Sequence, residues 1–144
     1  YVKPIVNNYL TGLQGAMSAA GVAAPLHIML SHGGVAGVDN VVERPVRTVL
    51  SGLAAGVIGA AHVGAAAGCP DCISLDMGGT STDVALIRGG QPLVTNDGKF
   101  EDYPLNLTMV DVRTIGAGGS SKASVDAAGG LKVGPESAGA FPGP

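Results

Sequence analysis

Asp76-Met77-Gly78-Gly79-Thr80-Ser81-Thr82-Asp83 stands between two apolar runs, Cys72-Ile73-Ser74-Leu75 and Val84-Ala85-Leu86-Ile87, and no other segment restricts the chain so tightly. Apolar runs on either side of a glycine pair read as two short strands joined by a turn. The residues of this turn do more than reverse the chain. Glycines let backbone N–H groups approach an anion with no Cβ in the way, and neighbouring hydroxyls donate further hydrogen bonds. Asp76, at the end of a buried strand, suits a hydrated magnesium ion, which favours one or two carboxylates together with phosphate oxygens. A bare Gly-Gly between strands indicates only a hairpin; the full D-x-G-G-T-x-T-D predicts a nucleoside triphosphate site.

The 144 residues amount to one domain by length, yet 24 are glycine, with three Tyr, two Phe and no Trp. Large aromatic side chains supply much of the buried area of an ordinary core, so this one must rest on Ile, Val, Leu and Ala. Such a composition predicts a piece of something larger. The net charge of −3 and eight scattered Lys and Arg argue against a nucleic-acid partner, and the missing aromatic residues leave no stacking platform for bases. The most apolar stretch, Leu53 to Cys69, is shorter than the ~20 residues that span a bilayer, carries His62 and consists mainly of Ala and Gly. It predicts a packed helix, with no membrane partner. Tyr1-Val2-Lys3-Pro4 lacks the regions of a signal peptide, and with only two cysteines the expected location is the cytoplasm.

From Ile5 to Ala20, apolar Ile5, Val6, Tyr9, Leu10, Leu13, Met17 and Ala20 recur at helical spacing, with Pro4 in the first turn and Gly21 at the stop. Leu26 to Leu30 reads as a buried strand entering the loop Ser31-His32-Gly33-Gly34. Asp39 is expected to cap a short helix through Glu43, ended by Pro45. Val46 to Leu50 is strand-like, and Ser51 then caps a helix of small residues running to Gly68. Beyond it, Cys72 to Asp76, Val84 to Arg88 and Pro92 to Thr95 read as successive strands, the last two joined by Gly89-Gly90. Leu105 to Val112 adds another, and Ser124 to Val133 a hairpin around Gly129-Gly130. The tail from Gly134 to Pro144 has no periodicity.

Other candidate sites are weaker. Gly116-Ala117-Gly118-Gly119-Ser120-Ser121-Lys122-Ala123 fails the P-loop pattern, because Ser121 stands where the second glycine belongs and Ala123 where the hydroxyl belongs. It also fails the dinucleotide fingerprint. A Gly-rich loop leaving a strand end can still touch a phosphate, which makes Gly116, Gly118 and Gly119 candidates. Cys69-Pro70-Asp71-Cys72 has redox spacing but follows a helix instead of opening one, and lacks the second ligand pair of a zinc site. His27, His32 and His62 are too dispersed for a metal cluster; His32, beside Gly33-Gly34, stands near a possible ligand. No nucleophile–base arrangement is visible.

Taken in order, Ser31-x-Gly33-Gly34, Glu43-Arg44-Pro45-Val46-Arg47-Thr48-Val49-Leu50-Ser51-Gly52-x-Ala54-Ala55-Gly56, Asp76 to Val84, Ile115 to Ser120 and Val133 to Gly139 resemble the hydantoinase/5-oxoprolinase family. The likeness runs from about residue 26 to the end of the chain, and five motifs in one order are highly specific. Leu53 replaces an expected Pro, His32 an Asp or Asn, and Ser121-Lys122 the usual continuation of the Gly-rich loop. The family resembles a branch of the superfamily of acetate and sugar kinases, heat-shock chaperones and actin. This implies an α/β, ribonuclease-H-like (actin-like ATPase) fold, here partial, with a mixed sheet, a β-hairpin phosphate loop and packed helices.

By the same resemblance, residues 1–50 are the end of a first actin-like lobe, 51–71 a connecting helix and turn, and 72–144 the start of a second lobe. The first phosphate loop and the adenine-binding motif are expected outside this chain, which is identified as an internal fragment. The parent would use ATP and Mg2+ to phosphorylate the amide oxygen of a hydantoin or 5-oxoproline, opening the ring and releasing ADP and phosphate. Gly78, Gly79, Thr80, Ser81 and Thr82 would hold the β- and γ-phosphates, Asp76 the hydrated metal, and Asp83 the metal shell or the attacking group. Expected partners are the opposite lobe, a second hydantoinase-type subunit and a small cyclic amide, and the fragment alone is expected to be inactive. The alternatives are an ATP-using subunit of an acetone or acetophenone carboxylase, and a non-catalytic actin- or chaperone-like module.

Overall fold

The computed structural model describes residues 2–100 and 103–144. In chain order the elements are α1 (Lys3–Ala19), β1 (His27–Met29), β2 (Val35–Gly37), α2 (Val38–Glu43), a 3-10 turn (Pro45–Thr48), α3 (Ser51–Ala66), β3 (Cys72–Met77) and β4 (Thr82–Arg88). There follow β5 (Gln91–Pro92), β6 (Val94–Thr95), β7 (Gly98–Phe100), β8 (Tyr103–Leu105), β9 (Met109–Val110), β10 (Val112–Ile115), β11 (Ser121–Val125) and β12 (Leu131–Ser137). Helices and strands are both present, as expected of an α/β chain. The expected mixed sheet is corrected: every pairing among the described residues is antiparallel. Short turns between consecutive strands permit no other arrangement, since parallel neighbours need a long crossover.

The chain divides into two compact units, Tyr1–Ile58 with Val94–Val110, and Gly59–Leu93 with Asp111–Pro144. In the first, α1 buries Leu10 and half-buries Val6, Leu13 and Met17, whereas Ile5 and Tyr9 point outward. The core cluster is Leu10, Leu30, Val38 and Val41, with Leu26 and Ile28 packed against it. A tight turn joins β1 to β2: Gly33 N–H donates to Leu30 O at 2.9 Å, and Gly33 takes the left-handed φ of 86° that favours glycine.

Ser31 ties this unit together. It is 2% exposed, its N–H donates to Arg47 O, and its hydroxyl lies 2.6 Å from both Arg47 O and Val49 O. Its own carbonyl accepts from Val110 N–H at 2.9 Å. These bonds hold residues 45–49, where the expected strand Val46–Leu50 is corrected to a 3-10 turn. Pro45 fixes a helical φ and Thr48 Oγ1 donates back to Pro45 O at 2.8 Å, which closes the turn. Two cap assignments also change. Gly37 is the N-cap of α2, with Asp39 inside its first turn. Ser51 lies inside α3, and Leu50, at a φ of 56°, supplies the carbonyl that accepts from Ala54 N–H.

In the second unit, the end of α3 approaches the start of β3 closely. A Cβ on Gly64 would lie 2.9 Å from Cys69 O and 3.0 Å from Cys72 Sγ. The smooth helix predicted from the sequence therefore serves close packing at this point. No helix of the described residues is long and apolar enough to cross a membrane. The main sheet has the order β10-β4-β3, with β5 also on β4 through the Gly89-Gly90 turn. Both of those glycines have positive φ, as a two-residue hairpin requires. The expected strands Pro92–Thr95 and Leu105–Val112 are each broken, so that β6 and β9 pair with each other in the first unit while β5 and β10 flank β4 in the second. The hairpin around Gly129-Gly130 is present and longer than expected. Its second strand runs to Ser137, into the tail read as aperiodic.

Two outcomes test this description. Ser31→Ala removes the buried hydroxyl and leaves Val49 O without its donor, while Arg47 O keeps the Ser31 N–H, so urea denaturation should show a loss of roughly 1–3 kcal/mol. In the β11–β12 hairpin, the N–H groups of Gly130 and Ala128, and then Lys132, hold the Asp126 carboxyl below its usual range. A carboxylate whose pKa is lowered on folding stabilises the fold above its unfolded value of about 4 and loses that contribution as pH falls through the folded value. Protection of the Ala128 and Gly130 amides, measured against their intrinsic exchange rates, should therefore fall below about pH 4, and Asp126→Asn should remove that acid dependence.

Candidate functional site: two stacked glycine loops

Residues 78–81 connect β3 to β4, and residues 116–120 follow β10. Because β10 pairs with β4 in the register Ile115↔Thr82, the loop entering β4 and the loop leaving β10 emerge at the same end of the sheet. They are bonded to each other. Gly119 N–H donates to Gly78 O at 2.9 Å, and Ser120 N–H to Gly79 O at 2.8 Å. Thr82 Oγ1 donates to Ala117 O at 2.6 Å, and Gly118 N–H to Ser121 Oγ at 2.9 Å. The first loop also closes on itself, Gly78 N–H to Ser81 O at 2.9 Å.

Gly118 makes the stacking possible. A Cβ there would come within 2.6 Å of Gly78 O and 2.7 Å of both Gly79 C and Ser81 N, so any side chain would push the first loop away. The bonds also sort the residues singled out from the sequence. Among the described residues, the N–H groups of Gly79, Thr80 and Ser81 donate to no protein acceptor, and neither do the hydroxyls of Thr80 and Ser81. Successive free N–H groups in a turn form a concavity suited to an anion. Thr82 is different: it is 5% exposed and its hydroxyl is already committed to Ala117, so it fixes the loops. Gly118 and Gly119 likewise spend their N–H groups inside the protein, while Gly116 N–H donates to none of the described residues.

Asp76 and Asp83 are direct partners across β3 and β4. Side chains so placed share a face, and like charges directly opposite repel. A divalent cation between or beside them relieves that repulsion. Asp83 is partly engaged, since Thr114 Oγ1 donates to its Oδ1 at 2.5 Å, whereas Asp76 is exposed. No group of three or more His, Cys, Asp or Glu gathers among the described residues, so a metal here would draw its remaining ligands from phosphate and water. Cys69 and Cys72 are free thiols. Sequence reasoning missed the parts played by Thr114, Ala117 and Ser121, which act through one hydroxyl or carbonyl each; Thr114 lies outside every motif, and the other two were read only as members of the Gly-rich run.

The chain matches the hydantoinase/oxoprolinase family over residues 1–144. It belongs to that family. It is 37% identical to the ATP-dependent caprolactamase of Pseudomonas jessenii, whose crystal structure it matches with a TM-score of 0.84 over 100% of this chain and 21% of that one. A nucleotide-free acetone carboxylase structure matches at 34% identity and a TM-score of 0.70, over 90% of this chain and 18% of that one. The 5-oxoprolinase of Saccharomyces cerevisiae is 34% identical over 100% of this chain and 11% of its own length. The chain thus spans about a fifth or less of the family relatives it matches. Several relatives bear subunit names, among them caprolactamase subunit alpha and acetone carboxylase beta subunit.

The stacking of the two loops is directly testable. Gly118→Ala should cost about 1–3 kcal/mol of stability by overpacking and, because the displaced atoms carry the free N–H groups, should weaken the binding of any anion titrated onto them more than Gly116→Ala does. A Gly116 side chain meets nothing within 4 Å. Paired denaturation and calorimetric titrations would check this, and equal effects of the two substitutions would contradict it.

Proposed function

We propose that the protein to which this chain belongs opens a cyclic amide at the expense of ATP, and that residues 76–83 are one of its phosphate loops. The free N–H groups of Gly79, Thr80 and Ser81, bordered by the opposed carboxylates of Asp76 and Asp83, carry the reading. Names of family relatives, an ATP-dependent caprolactamase and a 5-oxoprolinase, support the substrate class. The lobes are those of an actin-like ATPase, with residues 1–50 closing the first, 51–71 connecting, and 72–144 opening the second.

Bound ATP would supply the phosphoryl group that makes the amide carbon electrophilic enough for water to add and the ring C–N bond to break, nitrogen taking a proton and phosphate passing to water, while magnesium would neutralise phosphate charge. Phosphoryl transfer asks the protein mainly for position and charge neutralisation. Backbone N–H groups of residues 79–81 and the hydroxyls of Thr80 and Ser81 would hold the β- and γ-phosphates. Asp76 would hold the metal; Asp83, oriented by Thr114, would assist in holding it or align the attacking group. Gly118, Gly119 and Thr82 keep the loop in shape, a role the bonding pattern favours over direct contact with phosphate. Gly116 borders the same loop pair. The opposite lobe, and a second subunit of the kind the relatives' names imply, complete the enzyme in the cytoplasm, and the 144-residue chain alone is inactive.

Phosphate release by the full-length parent, assayed with hydantoin, 5-oxoproline, and acetone plus bicarbonate, tests the reading. Turnover should depend on a cyclic amide and on magnesium, and Asp76→Ala should lower kcat by at least ~100-fold, the scale of losing a metal that stabilises transition-state charge. Turnover with acetone and bicarbonate alone would transfer the site to ketone activation, the chemistry named for the acetone carboxylase. ATP hydrolysis indifferent to every small substrate would point to a nucleotide-driven module instead.

A further inference from the structure

Within the first unit, an open groove of about 830 Å³ lies between the N-terminus of α1, the segment 43–47 and residues 104–108. Three cations line it, Lys3, Arg44 and Arg47, against one carboxylate, Glu43. None of the ion pairs found among the described residues involves any of the four. The wall that carries the arginines is held firmly: Arg47 O accepts from both the N–H and the hydroxyl of buried Ser31. Guanidinium groups on a fixed backbone lose less freedom on binding, and their forked donors match a carboxylate with two parallel hydrogen bonds. The rest of the lining is largely apolar and includes Pro45 and Pro104, which have no N–H to offer. This differs from the amide-rich turn at residues 78–81, which suits phosphate.

We propose that this groove binds a small organic carboxylate, with Arg44 and Arg47 on the carboxylate, Lys3 adding positive charge and the apolar wall covering the carbon skeleton. His32, whose Nδ1 accepts from Gly34 N–H at 3.2 Å, stands at the groove as a further polar group. The proposal is independent of the ATP-dependent reaction, because it rests on other residues and is read by binding alone.

Calorimetric titration of the full-length parent with succinate, 5-oxoproline, 2-pyrrolidinone, inorganic phosphate and ATP tests it. The two carboxylates should bind, and Arg44→Gln or Arg47→Gln should weaken them about tenfold or more, the scale of a charge-assisted hydrogen bond. Glu43→Gln should tighten them, a gain that misfolding cannot imitate. Uncharged 2-pyrrolidinone should respond to none of the three substitutions. Carboxylate affinity that is absent, or unchanged in both arginine variants, would overturn the proposal. So would a loss confined to phosphate or ATP, which would make the groove a phosphate site. Should cyclic amides fail to stimulate ATP turnover while succinate still depends on the arginines, the reaction fails and the groove stands.

Discussion

The stacking of the glycine loops depends on one absence, the side chain of residue 118. With only a hydrogen there, the backbone of the second loop comes close enough for Gly119 and Ser120 to donate to the carbonyls of Gly78 and Gly79. Those bonds turn the two carbonyls toward protein and leave the N–H groups of residues 79–81 unspent. Orientation is therefore settled before any ligand arrives, which is what an anion site needs if binding is not to be offset by ordering the loop. Thr82 reinforces this with a buried hydroxyl to Ala117, a bond spanning 35 residues of sequence.

Ser31 does comparable work in the first unit. Its hydroxyl, N–H and carbonyl reach residues 47, 49 and 110, so one buried polar residue ties its own loop to two distant segments. Both units thus use a hydroxyl where a protein richer in aromatic residues would use bulk. The composition explains the choice: with no Trp and only two Phe, area burial is limited, and directional bonds inside a dry interior define geometry more sharply than small apolar groups can.

Much of this was legible in the sequence, and the parts that were not share a cause. Helical spacing gave α1, a run of small residues stopped at Gly68 gave α3, and glycine pairs gave the turns at 89–90 and 129–130, because those signals are local. Motif order gave the family. The extended reading of Val46–Leu50 failed because Val and Thr favour strands while Pro45 and the Ser31 bonds hold the segment in a 3-10 turn. Leu105–Val112 reads as one strand, yet its residues serve three strands in two units, and the residues at the breaks, Asn106 after β8 and Asp111 between β9 and β10, are ones that strands disfavour. In the site, the glycines and aspartates were visible as a pattern. Which glycines present free N–H groups and which spend them on each other depends on pairing β4 with β10, a contact about 30 residues apart that no local rule supplies.

That same sheet carries a consequence for Asp76. On the face opposite its carboxylate, Ile73, Leu75, Met77, Leu86 and Ile115 stand together and exposed, Ile73 and Leu75 at 64% and 65%. β3 is also the outer strand of the sheet order, with one edge free of backbone partners among the described residues. An apolar face beside an open edge is a place where proteins commonly bring cover. Covering it would also stiffen β3, and β3 ends at Asp76 and Met77, the last residues before the turn at 78–81. Substitutions such as Leu75→Ser would then act on the Asp76 carboxylate from the far side of the sheet, through the position of the strand.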